Sequence, residues 1–260
     1  MVQTKKIKVI KLNYKKTKKI KKYKKIKKNK KNKKITKFCD DYIKPKNFIF
    51  GYGSLINSYS RKYTGKGFIG SAIPVELSKK AGYTRIWTCK KSKYGHYSFL
   101  GLLKDKKKAH NINGVLTPIY NCISNFDKRE KGYKRIKIKY NPNNKNIIKS
   151  LSWQKMPNYP CNIYIYTIKK ELNNIPNELC PISQNYLDVV LSGCLEYGKD
   201  FTKKFLENTI NWTDKEKNIY WINDRKKNKR YWVKNNDKKN KIKIDKLLKK
   251  NIPNIYKYRN

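Results

Sequence analysis

Phe48-Ile49-Phe50-Gly51-Tyr52-Gly53-Ser54-Leu55-Ile56 is the stretch that decides how this chain is read. Three apolar residues predict a short buried strand. They run straight into two glycines around a tyrosine, followed by a small hydroxyl. The turn fails the usual nucleotide and nucleophile patterns. A dinucleotide fingerprint needs a third glycine, but Ile56 follows Leu55. Gly65-Lys66-Gly67 lacks the hydroxyl and the upstream glycine of a phosphate-binding loop. A nucleophile elbow needs glycine two positions before the serine, where Tyr52 stands. What remains is a glycine turn after a buried strand. Either its backbone N–H groups converge on an anion such as a carboxylate, or it is a plain tight turn. The turn alone leaves both readings open.

The rest of the chain narrows the setting. Its 260 residues suffice for one domain plus extensions. Sixty-six basic against 17 acidic residues give a formal charge of +49. Residues 1–38 hold 19 lysines and no acid, and residues 234–260 hold ten Lys or Arg against two Asp. Only seven of the basic residues are arginines, while Lys, Asn, Ile and Tyr abound. The A/U-rich codons of these four residues account for much of the charge without any nucleic-acid role. The low-complexity start cannot bury a core and reads as a disordered tail. The domain boundaries expected are a basic tail over 1–46, a folded domain over 47–233 and a basic tail over 234–260. The six cysteines form no C-x-x-C pair and the two histidines stand apart, which excludes the usual zinc spacings. Scattered cysteines at apolar positions read as buried thiols in a reducing compartment. No apolar run approaches the length of a membrane span, and the N-terminus lacks the apolar core of a secretory signal. A cytoplasmic protein is the expectation, with nuclear import through the basic tail as a variant.

Strands are predicted at 48–50, in pieces over 68–88, at 97–103, at 113–120, at 133–140 and at 161–168, with 141–150 as a loop. In the fifth of these, Ile136, Ile138 and Tyr140 alternate with Lys137 and Lys139, as a half-buried strand requires. A helix capped by Ser183 follows. It places Tyr186, Val189, Val190, Gly193, Cys194 and Tyr197 on one face and ends at Gly198. A shorter helix covers 201–208. The fold class expected is α+β: five to six strands closing into a small mixed β-barrel flanked by helices.

A second stretch, Phe126-Asp127-Lys128-Arg129-Glu130-Lys131-Gly132-Tyr133, places a glutamate between two strands. Taken together, the two stretches resemble the γ-glutamylcyclotransferase-like superfamily, which includes the AIG2-like proteins. In that family a strand leads into a Y-G-S-[LN] loop, matched by Tyr52-Gly53-Ser54-Leu55. Later comes a short acidic segment with the catalytic glutamate, matched by Glu130 with Gly132, Tyr133 and Arg135. Gly82-Tyr83-Thr84-Arg85-Ile86-Trp87 and Asn113-Gly114-Val115-Leu116 are similar to two further family strands. The segments 181–188 and 221–225 are similar to a longer branch with a C-terminal helical section.

The resemblance implies an enzyme that releases 5-oxoproline from a γ-glutamyl amide or peptide. The substrate's own α-amine attacks its γ-carbonyl, with Glu130 as general acid and base. Tyr52, Gly53, Ser54 and Leu55, with Gly51 and Tyr133 beside them, would bind the substrate. No metal, nucleotide or other cofactor is implied. Glu130 is expected to face the cavity while Lys128, Arg129 and Lys131 point to solvent, and the leaving group is expected to be read by 88–96 and 141–160. Two other readings compete. One is a non-catalytic ligand-binding or interaction module of the same fold. The other is a nucleic-acid-binding protein driven by charge, in which the five tryptophans stack bases or, as their setting favours, pack the core and its rim. The basic tails are expected to contribute only weak, non-specific binding to nucleic acid or anionic surfaces.

Overall fold

The apolar run at Asn47–Gly51 becomes β1, the strand around which the fold is built. A computed structural model describes residues 44–92, 95–120, 122–143, 146–168, 174–212, 219–226 and 238–259. One compact unit spans Lys46–Asn260. After β1 come a 3-10 turn (Ser54–Ile56), α1 (Ser58–Gly65), β2 (Ile73–Leu77), β3 (Tyr83–Ser92), β4 (Gly95–Lys104) and β5 (Ile112–Pro118). Then follow α2 (Ile123–Arg129), β6 (Lys134–Tyr140), β7 (Ile148–Ser150), β8 (Cys161–Thr167), β9 (Ile182–Ser183) and α3 (Gln184–Leu195). The chain ends with α4 (Lys199–Glu207), β10 (Thr209–Ile210), β11 (Trp221–Ile222), α5 (Lys238–Asn251) and α6 (Pro253–Tyr256).

The strands form an α+β fold in two sheets. Six strands in the order β6-β8-β1-β5-β2-β7 curl into a half-barrel, and five in the order β10-β3-β4-β9-β11 lie beside it. β1 is central. It pairs antiparallel with β5, Phe50 opposite Leu116, and parallel with β8, Phe48 opposite Ile163. A strand paired on both sides and covered on both faces has to be apolar throughout, and Phe48, Ile49 and Phe50 are all buried. Its alternation sends Phe48 and Phe50 into the main core and Ile49 into a smaller cluster with Ile119, Cys122, Phe126 and Tyr166. β6 is an edge strand of the expected alternating kind: Arg135, Lys137 and Lys139 are exposed, while Ile136, Ile138 and Tyr140 turn inward.

Ser183 caps α3, its hydroxyl accepting from the Tyr186 amide at 3.2 Å. Residues on every side of this helix are buried, not one face alone. Its polar members are accordingly paired. Asp188 meets Arg225, which also holds Asp245 of α5. Gln184 accepts from Arg259, which reaches Asp245 as well. Arg85 of β3 is fully buried. It donates to Asn113 of β5, Thr209 of β10 and the Phe205 carbonyl of α4, and stacks on the Phe205 ring at 3.8 Å. Burial brings its guanidinium down to about 9. The two inner family-like motifs around Arg85 and Asn113 thus serve the core.

Several expectations need correction. The segment 234–260 is not a tail where it is described: Ile244 and Leu248 of α5 are fully buried in the main core, at the i, i+4 spacing of a packed helical face. The loop expected over 141–150 contains β7, which hydrogen-bonds to β2. Gly198 does not end α3. At φ 102 it stands outside any helical conformation and opens α4. Two cysteines read as thiols, Cys89 and Cys180, form a disulfide that ties β3 to the segment leading into α3. Cys122, Cys161 and Cys194 are buried free thiols, and Cys39 lies outside the described residues. Trp87, Trp212 and Trp221 stack edge to face or tilted within the core, but Trp153 is exposed. Trp232 and residues 1–43 of the expected basic tail lie outside the described residues. No described helix is long and apolar enough to cross a membrane.

Candidate active site

Where β1 gives way to the 3-10 turn, a cavity of about 520 Å³ opens along the seam between the two cores. Phe50, Tyr52, Leu100 and Tyr186 line it from the main core, and Leu55 and Tyr166 from the smaller one. Gly53 and Ser54 contribute the turn itself, and Glu130 and Tyr133 close the opposite side. The cavity therefore gathers six of the seven residues singled out in the sequence: Tyr52, Gly53, Ser54, Leu55, Glu130 and Tyr133. Gly51 lies just behind it. A Cβ there would come within 2.9 Å of the Leu55 Cβ and carbonyl oxygen, so glycine is needed for the turn to fold back on the strand.

The turn is held from several sides. Ile56 N–H bonds the Gly53 carbonyl at 2.9 Å, closing the 3-10 turn. The amides of Ser54 and Leu55 open that turn and have no acceptor within it. On the far side Arg61 donates to the carbonyls of Leu55 (3.0 Å) and Ile56, fixing the turn's acceptors away from the cavity. Asn57 caps α1 by accepting from the Ser60 amide at 2.9 Å. Gly193 of α3 lets that helix press directly on the Ile56-Asn57 backbone.

Glu130 follows α2 as its C-terminal cap, its amide bonded to the Phe126 carbonyl at 2.8 Å. Phe126 is buried under β1 in the smaller core, which anchors the helix beside the turn. The expectation that all three neighbouring cations face solvent fails for Arg129. Its Nε lies 3.1 Å from Glu130 Oε1, with both side chains about four-fifths buried. Its Nη2 donates to Ser54 Oγ at 2.9 Å and Ser60 Oγ at 2.9 Å, and its Nη1 to the Ser60 carbonyl at 3.0 Å and Thr64 Oγ1 at 2.5 Å. The reason is local: α1 presents a cluster of hydroxyls and a carbonyl that only a guanidinium can satisfy together. Glu130 is thus half of an ion pair, and the contact favours its ionised form. Lys131 is exposed, and Lys128, also exposed, borders the cavity mouth together with Lys66.

Tyrosines complete the lining. Tyr52 donates to the Tyr166 carbonyl at 2.7 Å, and Tyr166 to Asp127 Oδ1 at 2.8 Å. Tyr133 reaches the Leu100 carbonyl at 3.3 Å. Burial, followed by the nearby Tyr133, Glu130 and Tyr186, pushes the Tyr52 phenol well above its ordinary value. Burial, then Tyr186 and Glu130, does the same to Tyr133. Both phenols therefore stay protonated through the physiological range and serve as donors, not bases. Tyr166 and Tyr186 escaped the sequence reading because a tyrosine in an apolar strand or on a helix face looks like core. Arg129 was in plain sight beside Glu130, but its direction depends on α1, some 65 residues upstream. The stretches 88–96 and 141–160, expected to read the leaving group, do not line the cavity among the described residues. Tyr63, Thr64, Lys66, Asn125 and Lys128 stand there instead.

No family model matches the chain, and no curated protein matches it. Solved structures similar to it are gamma-glutamyl cyclotransferases and related uncharacterized proteins. One is the crystal structure of an uncharacterized protein from Homo sapiens, at 15% identity over 65% of this chain and 91% of that one, with a TM-score of 0.44. A gamma-glutamyl cyclotransferase is similar at 15% identity over 61% and 85% of the two chains, with a TM-score of 0.43. A gamma-glutamyl cyclotransferase specific to glutathione, from yeast, is similar at 13% identity over 62% and 88%, with a TM-score of 0.32. All three scores lie below 0.5, so a functional reading has to rest on the site's own geometry.

Proposed function

We propose that this protein is a γ-glutamylcyclotransferase-like enzyme that releases 5-oxoproline from a γ-glutamyl amide or peptide. The observation that supports it is the meeting of two segments about 75 residues apart, the Ser54 turn and Glu130, in one cavity and on one guanidinium. The turn offers amides to the substrate's α-carboxylate, as a small anion-binding concavity. Clamping that end beside an apolar wall brings the α-nitrogen to the γ-carbonyl, which removes much of the entropy cost of cyclisation.

The proton inventory needs a relay. The α-ammonium gives up two protons as its nitrogen becomes the ring N–H. The departing nitrogen takes up one to leave as a neutral amine, or two to leave as an ammonium. Between these events the new C–N bond of the ring forms and the γ-amide C–N bond breaks. Glu130, ionised against Arg129, starts as the base and returns the proton to the leaving group. Tyr52 and Tyr133 stay protonated, and each directs its single O–H at a backbone carbonyl, those of Tyr166 and Leu100, so they would act as uncharged walls of the cavity that leave Glu130 to carry the proton.

Incubation with a panel of γ-glutamyl dipeptides, γ-glutamyl amines and glutathione should release 5-oxoproline from at least one member. Glu130→Gln should lose at least a hundredfold in kcat while still binding that substrate, in line with the usual contribution of a general acid–base group. Wild-type turnover in Glu130→Gln would remove Glu130 from the reaction. Silence across the panel would leave a ligand-binding module.

A further inference from the structure

Among the described residues, Arg129 is the cation that bonds both halves of the proposed site. Its five guanidinium N–H groups match five acceptors: Glu130 Oε1, Ser54 Oγ, Ser60 Oγ, the Ser60 carbonyl and Thr64 Oγ1. No N–H is left over for a substrate. The residue is therefore a bracket. Nε fixes one oxygen of the Glu130 carboxylate, Nη2 fixes the Ser54 side chain, and the two contacts to the α1 carbonyl and hydroxyls keep the plane of the fork from rotating. A lysine in its place has one nitrogen and cannot span these positions.

We propose, building on the cyclotransferase reading above, that Arg129 is a positioning residue of this site. It holds the Glu130 carboxylate and the Ser54 turn in a fixed relation, so that the proton relay and the carboxylate cradle address the same substrate. It acts through Glu130 and Ser54 and does not touch the reacting atoms. Its charge and its shape make separable contributions. The charge favours ionised Glu130; the other groups that face it, Tyr52 from the strand-turn junction, Tyr133 ahead of β6 and Tyr166 of β8, are phenols held protonated, mainly by burial, and bring no competing charge. Lys66 and Lys128 at the cavity mouth carry the same sign as Arg129 but border the opening, and Asp127 is engaged by Arg135 and Tyr166. The shape aligns the turn.

The test compares wild type, Arg129→Lys and Arg129→Gln, with kcat and KM measured from pH 4 to 9 on a substrate found in the panel. Arg129→Gln should raise KM about tenfold, the usual effect of losing a hydrogen bond to a charged group, and move the acid limb of kcat/KM to higher pH. Arg129→Lys should restore the acid limb and leave KM raised. Wild-type KM and acid limb in Arg129→Gln would overturn the proposal, as would full recovery of both by Arg129→Lys. A substrate-free readout separates this proposal from the cyclotransferase reading. In protein carrying 13C at the glutamate carboxyls, with Glu130 assigned through Glu130→Gln, its titration should shift to higher pH in Arg129→Gln. A shift with no 5-oxoproline from wild type would keep the bracket and discard the reaction. Turnover with an unshifted titration would discard the bracket and keep the reaction. Should Arg129→Gln fail to fold, Arg129→Lys carries the test through KM alone: a raised KM supports the bracket and an unchanged one refutes it.

Discussion

Gly193→Ala separates two effects of opposite sign. A β-carbon at Gly193 would stand 2.4 Å from the Asn57 nitrogen, 2.5 Å from its Cα and 2.7 Å from the Ile56 carbonyl carbon. Ordinary carbon contacts lie at about 3.5–4.0 Å, so roughly 1 Å has to open between α3 and the turn. Neither partner yields easily. The contacted atoms are backbone, tied down by Arg61 on the carbonyls and by Asn57 as the α1 cap. α3 is buried on every side and anchored by Ser183 to Asp224 and by Asp188 to Arg225. Overpacking of this kind costs about 1–3 kcal/mol. Alanine in a helix interior offsets about 1 kcal/mol of that. A net loss of up to about 2 kcal/mol should lower Tm by up to roughly 8 °C for a domain of this size. The displaced turn carries the proposed carboxylate cradle, so KM for 5-oxoproline release should rise as well. Denaturant and thermal unfolding, run beside the kinetic assay, measure both quantities. Helix propensity alone predicts the reverse, a variant about 1 kcal/mol more stable with unchanged KM. That outcome would refute the claim that α3 sets the position of the turn.

Acid and redox conditions give two more tests. Burial would raise the Asp245 carboxyl, but Arg225 and Arg259 outweigh it and hold it below its ordinary 3.8. A depressed folded-state value means that the pair stabilises the fold above that pH and that the contribution is lost as pH falls through the folded value. Tm should therefore be flat near neutrality and fall below about pH 4, with a shallower fall and a lower neutral Tm in Asp245→Asn. Parallel curves for the two proteins would show that Asp245 takes no part. The Cys89–Cys180 bond closes a loop with a sequence separation of 91, for which chain entropy predicts about 4.6 kcal/mol and practice about 2–4. Reductant should lower the wild-type Tm, while Cys89→Ser with Cys180→Ser should be less stable and indifferent to reductant. Equal Tm values with and without reductant would count against the bond.

What the sequence disclosed and what it hid divide along a physical line. β1, the alternation of β6 and the Ser183 cap were legible because their signals are local: an apolar run, a period of two, a hydroxyl ahead of a helix. α5 was hidden because only two of its four apolar residues, Ile244 and Leu248, form the buried stripe, and all four sit among lysines that resemble the rest of a charged tail. A two-residue stripe outweighs that charge only once a core exists to receive it. The cysteine pairing was invisible because the two positions meet only after β3 and the segment before α3 pack together. The site was half legible. The turn and Glu130 stood out by type and order, whereas Tyr166, Tyr186 and the direction of Arg129 are set by elements distant in sequence.

The arginines carry a further signal in the sequence. In a chain of 66 basic residues only seven are arginines, and Arg230 lies outside the described residues. Of the other six, five are buried or largely buried and each bonds several groups. Arg61 grips the turn's carbonyls, Arg85 joins β3 to β5 and α4, Arg129 joins Ser54 to Glu130, and Arg225 and Arg259 join α3 to the C-terminal helices. If A/U-rich codons put lysine wherever a positive charge is enough, arginine persists where a planar fork of donors has to satisfy several acceptors at once. Rarity then becomes a structural signal. Applied here, it marks the turn twice, through Arg61 behind it and Arg129 beside it. The proposed carboxylate cradle is therefore fixed by the scaffold before any substrate arrives, which is the preorganisation that an intramolecular cyclisation requires.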